Sequence, residues 1–307
     1  MGDKSPKKSG GPPVGTTGLI SLATAGALTT VLLWGGSSMA TKLGTGSMDA
    51  LTLAILRVVV AGPCALIVIM FMRLRLPWYA GDRVYFCLIT IVSMGAAPVI
   101  FTLGVQFTTA GHAVVASSST SIFTGLIEAA ARRQWPRFRW WVGIAVAFSG
   151  ALILVAESVG LSSTGATWQG DVLVISAAFL GSTGFYLGSR LSQRYGAPAI
   201  TLWSVVAASV LWFPVLLVTS SFAELSQLTV LSWSVVLYLA AGASVVATMT
   251  WYYALSRGGI SRMAVWQFAL PIVGIAMAAI VLDEPVTLPL VVSVAVVFSG
   301  IALVQRR

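Results

Sequence analysis

The chain carries the same short passage twice, and an odd number of apolar segments precedes each copy. Val146-Ala147-Phe148-Ser149-Gly150 closes one half and Val296-Val297-Phe298-Ser299-Gly300 closes the other, each behind the same apolar hairpin pattern. Each half reads as five apolar spans. Five crossings leave a chain on the side of the bilayer opposite to its entry, so the second copy inserts upside down relative to the first. The fold expected is an all-α membrane protein, ten transmembrane helices in two inverted five-helix repeats. Such repeats point to a transporter, because two inverted halves can exchange inward-open and outward-open shapes around a shared midplane site.

The composition has no other use: 57% of residues are hydrophobic and 9% charged, with a mean hydropathy of +0.93. A hydrocarbon core of ~30 Å needs ~20 apolar residues per helix. Qualifying windows begin near residues 18, 50, 83, 111, 138, 170, 198, 231, 260 and 287. The longest connection, Glu157 to Trp168, is a short Gly/Ser/Thr loop, so no soluble domain is expected. Three regions follow: a polar Lys/Pro/Gly-rich tail over 1–17, a first repeat over 18–156 and a second over 170–305. The tail reads as disordered. It is not a signal peptide, because the apolar segment after it is a full span.

A formal charge of +9 would suggest nucleic acid in a soluble protein, so the placement of the charges decides. Lys4, Lys7 and Lys8 precede the first span. Arg73, Arg75 and Arg83 separate the second from the third, and Arg132, Arg133, Arg137 and Arg139 the fourth from the fifth. Arg190 and Arg194 follow the sixth, Arg257 and Arg262 join the eighth to the ninth, and Arg306 and Arg307 end the chain. Every Lys and Arg except Lys42 and Arg57 therefore falls on one face. The positive-inside rule makes that face cytoplasmic, together with both termini. The other face carries Asp49, Glu157, Asp171, Glu224, Asp283 and Glu284. The partners expected are the bilayer and a small-molecule substrate, not nucleic acid. Cys64 and Cys87 lie in apolar windows and read as small buried hydrophobes.

With the spans placed, the sequence resembles the EamA-type drug/metabolite transporters. Pro271, then Leu282-Asp283-Glu284-Pro285-Val286-Thr287, then Phe298-Ser299-Gly300 is similar to the pattern that ends each repeat of that family. Trp34-Gly35-Gly36 with Lys42, Leu56-Arg57, and the tight turn at Thr108-Thr109-Ala110-Gly111-His112-Ala113 are similar to its first-span, second-span and fourth-span signatures. One departure is Arg133-Gln134-Trp135-Pro136, which lacks the Glu found in the second repeat. The resemblance implies export or exchange of small organic metabolites across a bacterial inner membrane. Spans one to four and six to nine would line a central cavity, with spans five and ten as supports. Within the family the aromatic content is most like that of the YddG-type aromatic amino-acid exporters. Planar xenobiotics are the alternative substrate, and a channel is a further alternative.

The residues lead the same way. Trp34, Tyr186, Trp203, Trp251, Tyr252, Tyr253 and Trp266 fall in or near the stretches assigned to the cavity, and each can equally face lipid or pack. Ser38, Gln106, His112, Ser118, Thr248 and Gln267 add hydroxyl, amide and imidazole groups. The candidate substrate-binding set is Trp34, Ser38, Gln106, His112, Ser118, Tyr186, Trp203, Thr248, Tyr252, Trp266 and Gln267. Rings stack on a planar solute while a few polar groups orient it. Arg57, deep in span two, either meets a substrate carboxylate or anchors span-end carbonyls, and the structural role is favoured. Lys42 has Asp49 as its expected partner. Pro98 and Pro271 are expected to bend spans three and nine. No catalytic residues, metal ligands or cofactors are expected, since one His without deep acids supports neither catalysis nor metal binding. Lacking a visible carboxylate partner for His112, the chain is expected to run without obligatory proton coupling.

Overall fold

The computed structural model describes residues 16–77, 80–133, 138–160, 165–220, 225–258, 266 and 269–305. The expected tail over 1–17 lies almost wholly outside them. Helix α1 spans Thr16–Ser47, α2 Ala50–Met72 and α3 Arg83–Gln106; α4 runs as Ala110–Ser117 and Ser119–Arg132, broken at Ser118. Then come α5 Phe138–Gly160, α6 Trp168–Tyr195 and α7 Ala197–Thr219, followed by α8, which runs as Val230–Leu237, Tyr238–Val246 and Ala247–Gly258. Helix α9 is described over Ala269–Leu282 and α10 over Leu288–Gln305. No strand occurs among the described residues.

Short polar side chains start these helices. Asp49, Thr109, Thr167 and Thr229 each accept a backbone N–H from the first turn of α2, α4, α6 and α8, satisfying a donor that has no partner within the helix. Arg73, Arg133 and Asp283 have positive φ and end α2, the second part of α4, and α9. Arg133 and Asp283 hold corresponding places in the two halves with φ of 51° and 52°, so the same reversal is built from opposite charges.

The helices pair in a pattern that survives exchanging each half for the other. Helix α5 packs on α10 and α2 on α7; α1 packs on α8 and α9, as α6 packs on α3 and α4. The repeated passage explains the first pairing. A Cβ on Gly150 would stand 2.7 Å from Val297 Cγ2, and one on Gly300 would strike the backbone of Gly143 and Ala147. Ser293 Oγ donates to the Gly150 carbonyl at 2.7 Å. Small residues let backbones approach closely where no hydrophobic force distinguishes neighbour from lipid.

At the α2–α7 contact Pro63 lies inside the helix and cannot donate to the Val59 carbonyl. Ser209 Oγ of α7 donates to that oxygen instead, at 2.7 Å, passing over Gly62 where a side chain would block it. Pro98 sits just beyond a π-helical stretch, Ile89–Ala96 in α3, and α8 has a second one over Tyr238–Val246. Both stretches receive partner helices. Trp34 Nε1 of α1 donates to the Ala243 carbonyl at 2.8 Å, and Ser93 Oγ of α3 donates to the Gly181 carbonyl of α6 at 3.1 Å. Pro271, expected to bend its span, is the third residue of the described part of α9.

Among the described residues six helices are long and apolar enough to cross a membrane: α2, α3, α4, α6, α7 and α8; Ala269–Leu282 and Leu288–Gly300 are shorter apolar helices. Helix α1 is diluted by Gly35, Gly36, Ser37 and Ser38, and it lines the interior. Phe71, Phe138, Val218 and Ile280 are strongly exposed on the outer surface, as lipid contact requires. Cys87 is also exposed rather than buried, and Cys64 is half-buried.

Candidate functional site

The interior of the bundle holds a cavity of about 530 Å³. Helix α1 contributes Trp34, Ser37 and Ser38, α2 contributes Arg57, and α3 contributes Ser93, Pro98 and Phe101. Helix α4 contributes Ser117, Ser118, Thr120 and Thr124 around its break, and α6, α8 and α10 add Phe185, Trp251 and Phe298. Trp34 and Trp251 lean together with ring centroids 6.1 Å apart. The wall thus combines rings with hydroxyls, many of which already donate to carbonyls of their own helix, such as Ser117 to Ala113 and Thr124 to Thr120.

Arg57 is the charged group of this wall among the described residues. It is 7% exposed; one terminal nitrogen donates to Thr102 Oγ1 at 3.2 Å, and its guanidinium carbon lies 5.8 Å from the Phe101 ring centroid. Its Nε is buried without a hydrogen-bond partner. That Nε is closed off from the open volume, so it is the rest of the side chain that borders the cavity.

Of the candidate substrate-binding residues the structure gathers Trp34, Ser38 and Ser118 in the wall. Trp266 packs with Trp34 and Trp251 around Ala23, Ala27 and Ala254. Gln106 is exposed at the end of α3. Tyr186 is buried on α6, Trp203 donates to the Leu74 carbonyl, Thr248 donates within α8, and Tyr252 accepts from Thr201 Oγ1; none of these four is in the wall. Gln267 lies outside the described residues. Phe101, Thr124, Phe185 and Phe298 line the wall without having been candidates, and Phe298 entered the sequence reading only through the repeated passage.

A second polar cluster lies where α3 turns into α4. Lys42 does not pair with Asp49. Its Nζ donates to the carbonyls of Val105, Gln106 and Thr108, at 3.2, 3.2 and 2.5 Å, placing a cation on the C-terminal end of α3. Glu284, from the connection after α9, accepts the backbone N–H groups of Ala110 and Gly111 at 2.8 and 3.0 Å, placing an anion on the N-terminal end of α4. Thr167 binds the turn from the third side, its N and Oγ1 both donating to the Phe107 carbonyl.

His112 lies one turn further in, 3% exposed, and it has the acids that the sequence reading failed to find. Nδ1 is 3.2 Å from Asp171 Oδ2, Nε2 is 3.4 Å from Glu157 Oε2, and the two carboxylate side chains are 1% and 0% exposed. Thr108 Oγ1 donates to Asp171 Oδ1 at 2.5 Å. Both acids were assigned to the headgroup face because each stands near a helix end. Helix α5 instead continues through Glu157 to Gly160, and Asp171 occupies the first turn of α6.

The model of the EamA-like transporter family matches residues 21–156 and again 168–306. The chain belongs to the EamA-like transporter family. It is similar to an uncharacterized transporter of Archaeoglobus fulgidus, 25% identical over 83% of this chain and 87% of that one. A probable amino-acid metabolite efflux pump of Escherichia coli is 26% identical over 85% and 87%. A probable terminal-alkyne amino-acid exporter of Streptantibioticus cattleyicolor is 24% identical over 91% of each chain. A solved crystal structure superposes with a TM-score of 0.65 at 17% identity, covering 93% of this EamA-like chain and 96% of that one, a likeness of fold.

Proposed function

We infer that this EamA-like protein is a secondary transporter of amino acids, aromatic ones favoured, working by alternating access around the central cavity. The observation that carries this is Arg57, the cation in a wall of rings and hydroxyls, with a single hydroxyl partner at a terminal nitrogen. A guanidinium in such a wall suits a carboxylate, and Trp34, Phe101 and Trp251 supply faces for an apolar or aromatic side chain. The names of two relatives, an amino-acid metabolite efflux pump and an amino-acid exporter, support the same class. Helices α1 to α10 would each cross the bilayer as two inverted repeats, over 18–156 and 170–305. The symmetric pairing, the paired π-helical stretches and the matched αL residues support that arrangement. The membrane would be the bacterial inner membrane, with the Lys42–Glu284 end outside and both termini cytoplasmic.

Purified protein in liposomes loaded with L-phenylalanine, L-alanine or a cationic planar dye tests the reading. Saturable counterflow is expected for the amino acids, fastest for L-phenylalanine, and not for the dye. Dye transport without amino-acid counterflow would transfer the protein to xenobiotic export, and linear conductance would make it a channel. For orientation, single cysteines at Ser5 and Ser163 in a background lacking Cys64 and Cys87 should react with an impermeant maleimide on intact cells only at Ser163.

A further inference from the structure

The cluster of His112, Asp171 and Glu157 has no role in a cavity that binds an amino acid, yet it is the most deeply enclosed ionic group among the described residues. Both ring nitrogens face carboxylate oxygens, so each contact needs one proton between its two atoms. Take as reference two carboxylates and a neutral imidazole, a net charge of −2. One proton beyond it fills both contacts, whichever atoms hold the hydrogens, and leaves −1. A second proton makes the cluster neutral. The structure shows where it would sit: Glu157 Oε1 has no hydrogen-bond partner, and Oε2 has only the imidazole at 3.4 Å, longer than a well-formed bond. An ionised carboxylate with bare oxygens at 0% exposure has neither water nor a well-formed hydrogen bond to hold its charge.

At the turn above the cluster two charged groups from other elements offset one another. Lys42 of α1 reaches the Thr108 carbonyl, and Glu284 caps Ala110 and Gly111; one is a cation and one an anion, and neither touches the imidazole. Neutrality must therefore come from protons on the cluster itself. Its position links it to the cavity. His112 is five and six residues from Ser117 and Ser118, about 8–9 Å along the helix, and Asp171 is six residues from Ala177, which also lines the wall. Between them the first part of α4, Ala110–Ser117, is buried through Ala116 and ends at the break at Ser118. Ser118 keeps right-handed helical angles while its N–H bonds to Val115 in place of Val114, and a hinge at that point would let the first part tilt as a unit.

We propose that His112, Asp171 and Glu157 form a proton-binding site that couples proton movement to opening of the α3–α4 end of the cavity. In the closed state the site holds both protons. When the first part of α4 separates from α5 and α6, water reaches Glu157, its O–H bond breaks to give a carboxylate and a hydronium ion, and reclosure requires a proton to return. The inference rests on the carrier reading only for the solute that accompanies the proton.

Two measurements test it. Infrared difference spectra between high and low pH, on detergent-solubilised protein without substrate, should contain the C=O stretch of a buried protonated carboxylic acid, and E157Q should lack it. Absence of the band from wild type, or its persistence in E157Q, overturns the site. The second is net L-phenylalanine flux in proteoliposomes with the membrane potential clamped at zero. An imposed gradient of one pH unit should support about tenfold accumulation for each proton coupled, and E157Q should lose this while G188A, whose added Cβ meets nothing within 4 Å, keeps it. Wild-type flux indifferent to the gradient overturns the coupling even if E157Q fails to fold. If no amino acid is carried, the carrier reading fails, and the infrared band still decides whether the protons are there.

Discussion

Arg57 and His112 are both buried charged or chargeable groups, and the structure treats them in opposite ways. The histidine is enclosed by counter-groups on both ring nitrogens, and its neighbours Lys42, Glu284 and Thr167 seal the turn above it. The arginine has one hydroxyl partner and otherwise faces a cavity of about 530 Å³. A cation bordering an open volume marks a place for a solute. A histidine and two acids shut away from any such volume mark a place for something as small as a proton. The sum of buried charge would not have separated the two; whether a cavity adjoins the charge does.

The largest effect should come from Arg57. R57A removes the cavity's cation and should reduce L-phenylalanine counterflow on the order of a hundredfold or more, as loss of one partner of a buried charge pair does. R57K should recover part of it, since an ammonium keeps the charge without the planar fork. Equal counterflow in wild type and R57A would make the arginine structural and erase the contrast with His112.

G184A is the next test, because a Cβ there would strike Ser93 Oγ, a wall residue, and not the histidine cluster. Overpacking of about 1–3 kcal/mol is expected, seen as a lower melting temperature in detergent and slower counterflow with the pH response intact. G188A is the control, since a Cβ there meets nothing within 4 Å; it should melt as wild type or slightly higher.

E284Q should cost about 1 kcal/mol, because one amide oxygen replaces two carboxylate oxygens at the start of α4 and the favourable charge at that helix end is lost. Faster amide hydrogen exchange at Ala110 and Gly111 is the readout, with counterflow at neutral pH changed less than twofold. The smallest effect is expected for W34F, which keeps a ring but loses the bond to the Ala243 carbonyl. Discrimination between L-phenylalanine and L-alanine should change by less than about tenfold; abolished transport would mean that Trp34 holds α1 on α8 rather than shaping the site.

Hydropathy and the doubled Phe-Ser-Gly passage made the helical architecture legible, because close approach of α5 and α10 demands glycine at the same point of each half. Trp34, Ser38 and Ser118 were also within reach, since polar or ring-bearing residues in the middle of an apolar span have few other reasons to be there. Glu157 and Asp171 were not. Each lies within a turn of a helix end, where an acid ordinarily faces headgroups, and only the packing of three helices brings them to one imidazole. Lys42 was misread, and the role of Glu284 went unseen, for a related reason: their partners are backbone groups, which carry no sequence signal. Tyr252 points to Thr201 of α7, and Trp203 to Leu74 in the connection after α2, and rotation about a helix axis is hard to read where all sides are apolar.

The π-helical stretches in α3 and α8 have a further consequence for how this family can vary. A wider turn of this kind holds one residue more than an α-helical turn, so each stretch is a stored insertion. Removing a single residue from Ile89–Ala96 would let α3 close into a regular ladder while the helix beyond keeps its facing, because the wide turn already absorbs the extra residue. Pro98, Phe101 and Thr102 would still look into the cavity, whereas removing one residue from the regular helix after Ala97 would turn everything beyond it by about 100°. The π stretch is then the one place in α3 where chain length can change by one with the cavity lining beyond it and the packing of α5 on α10 untouched.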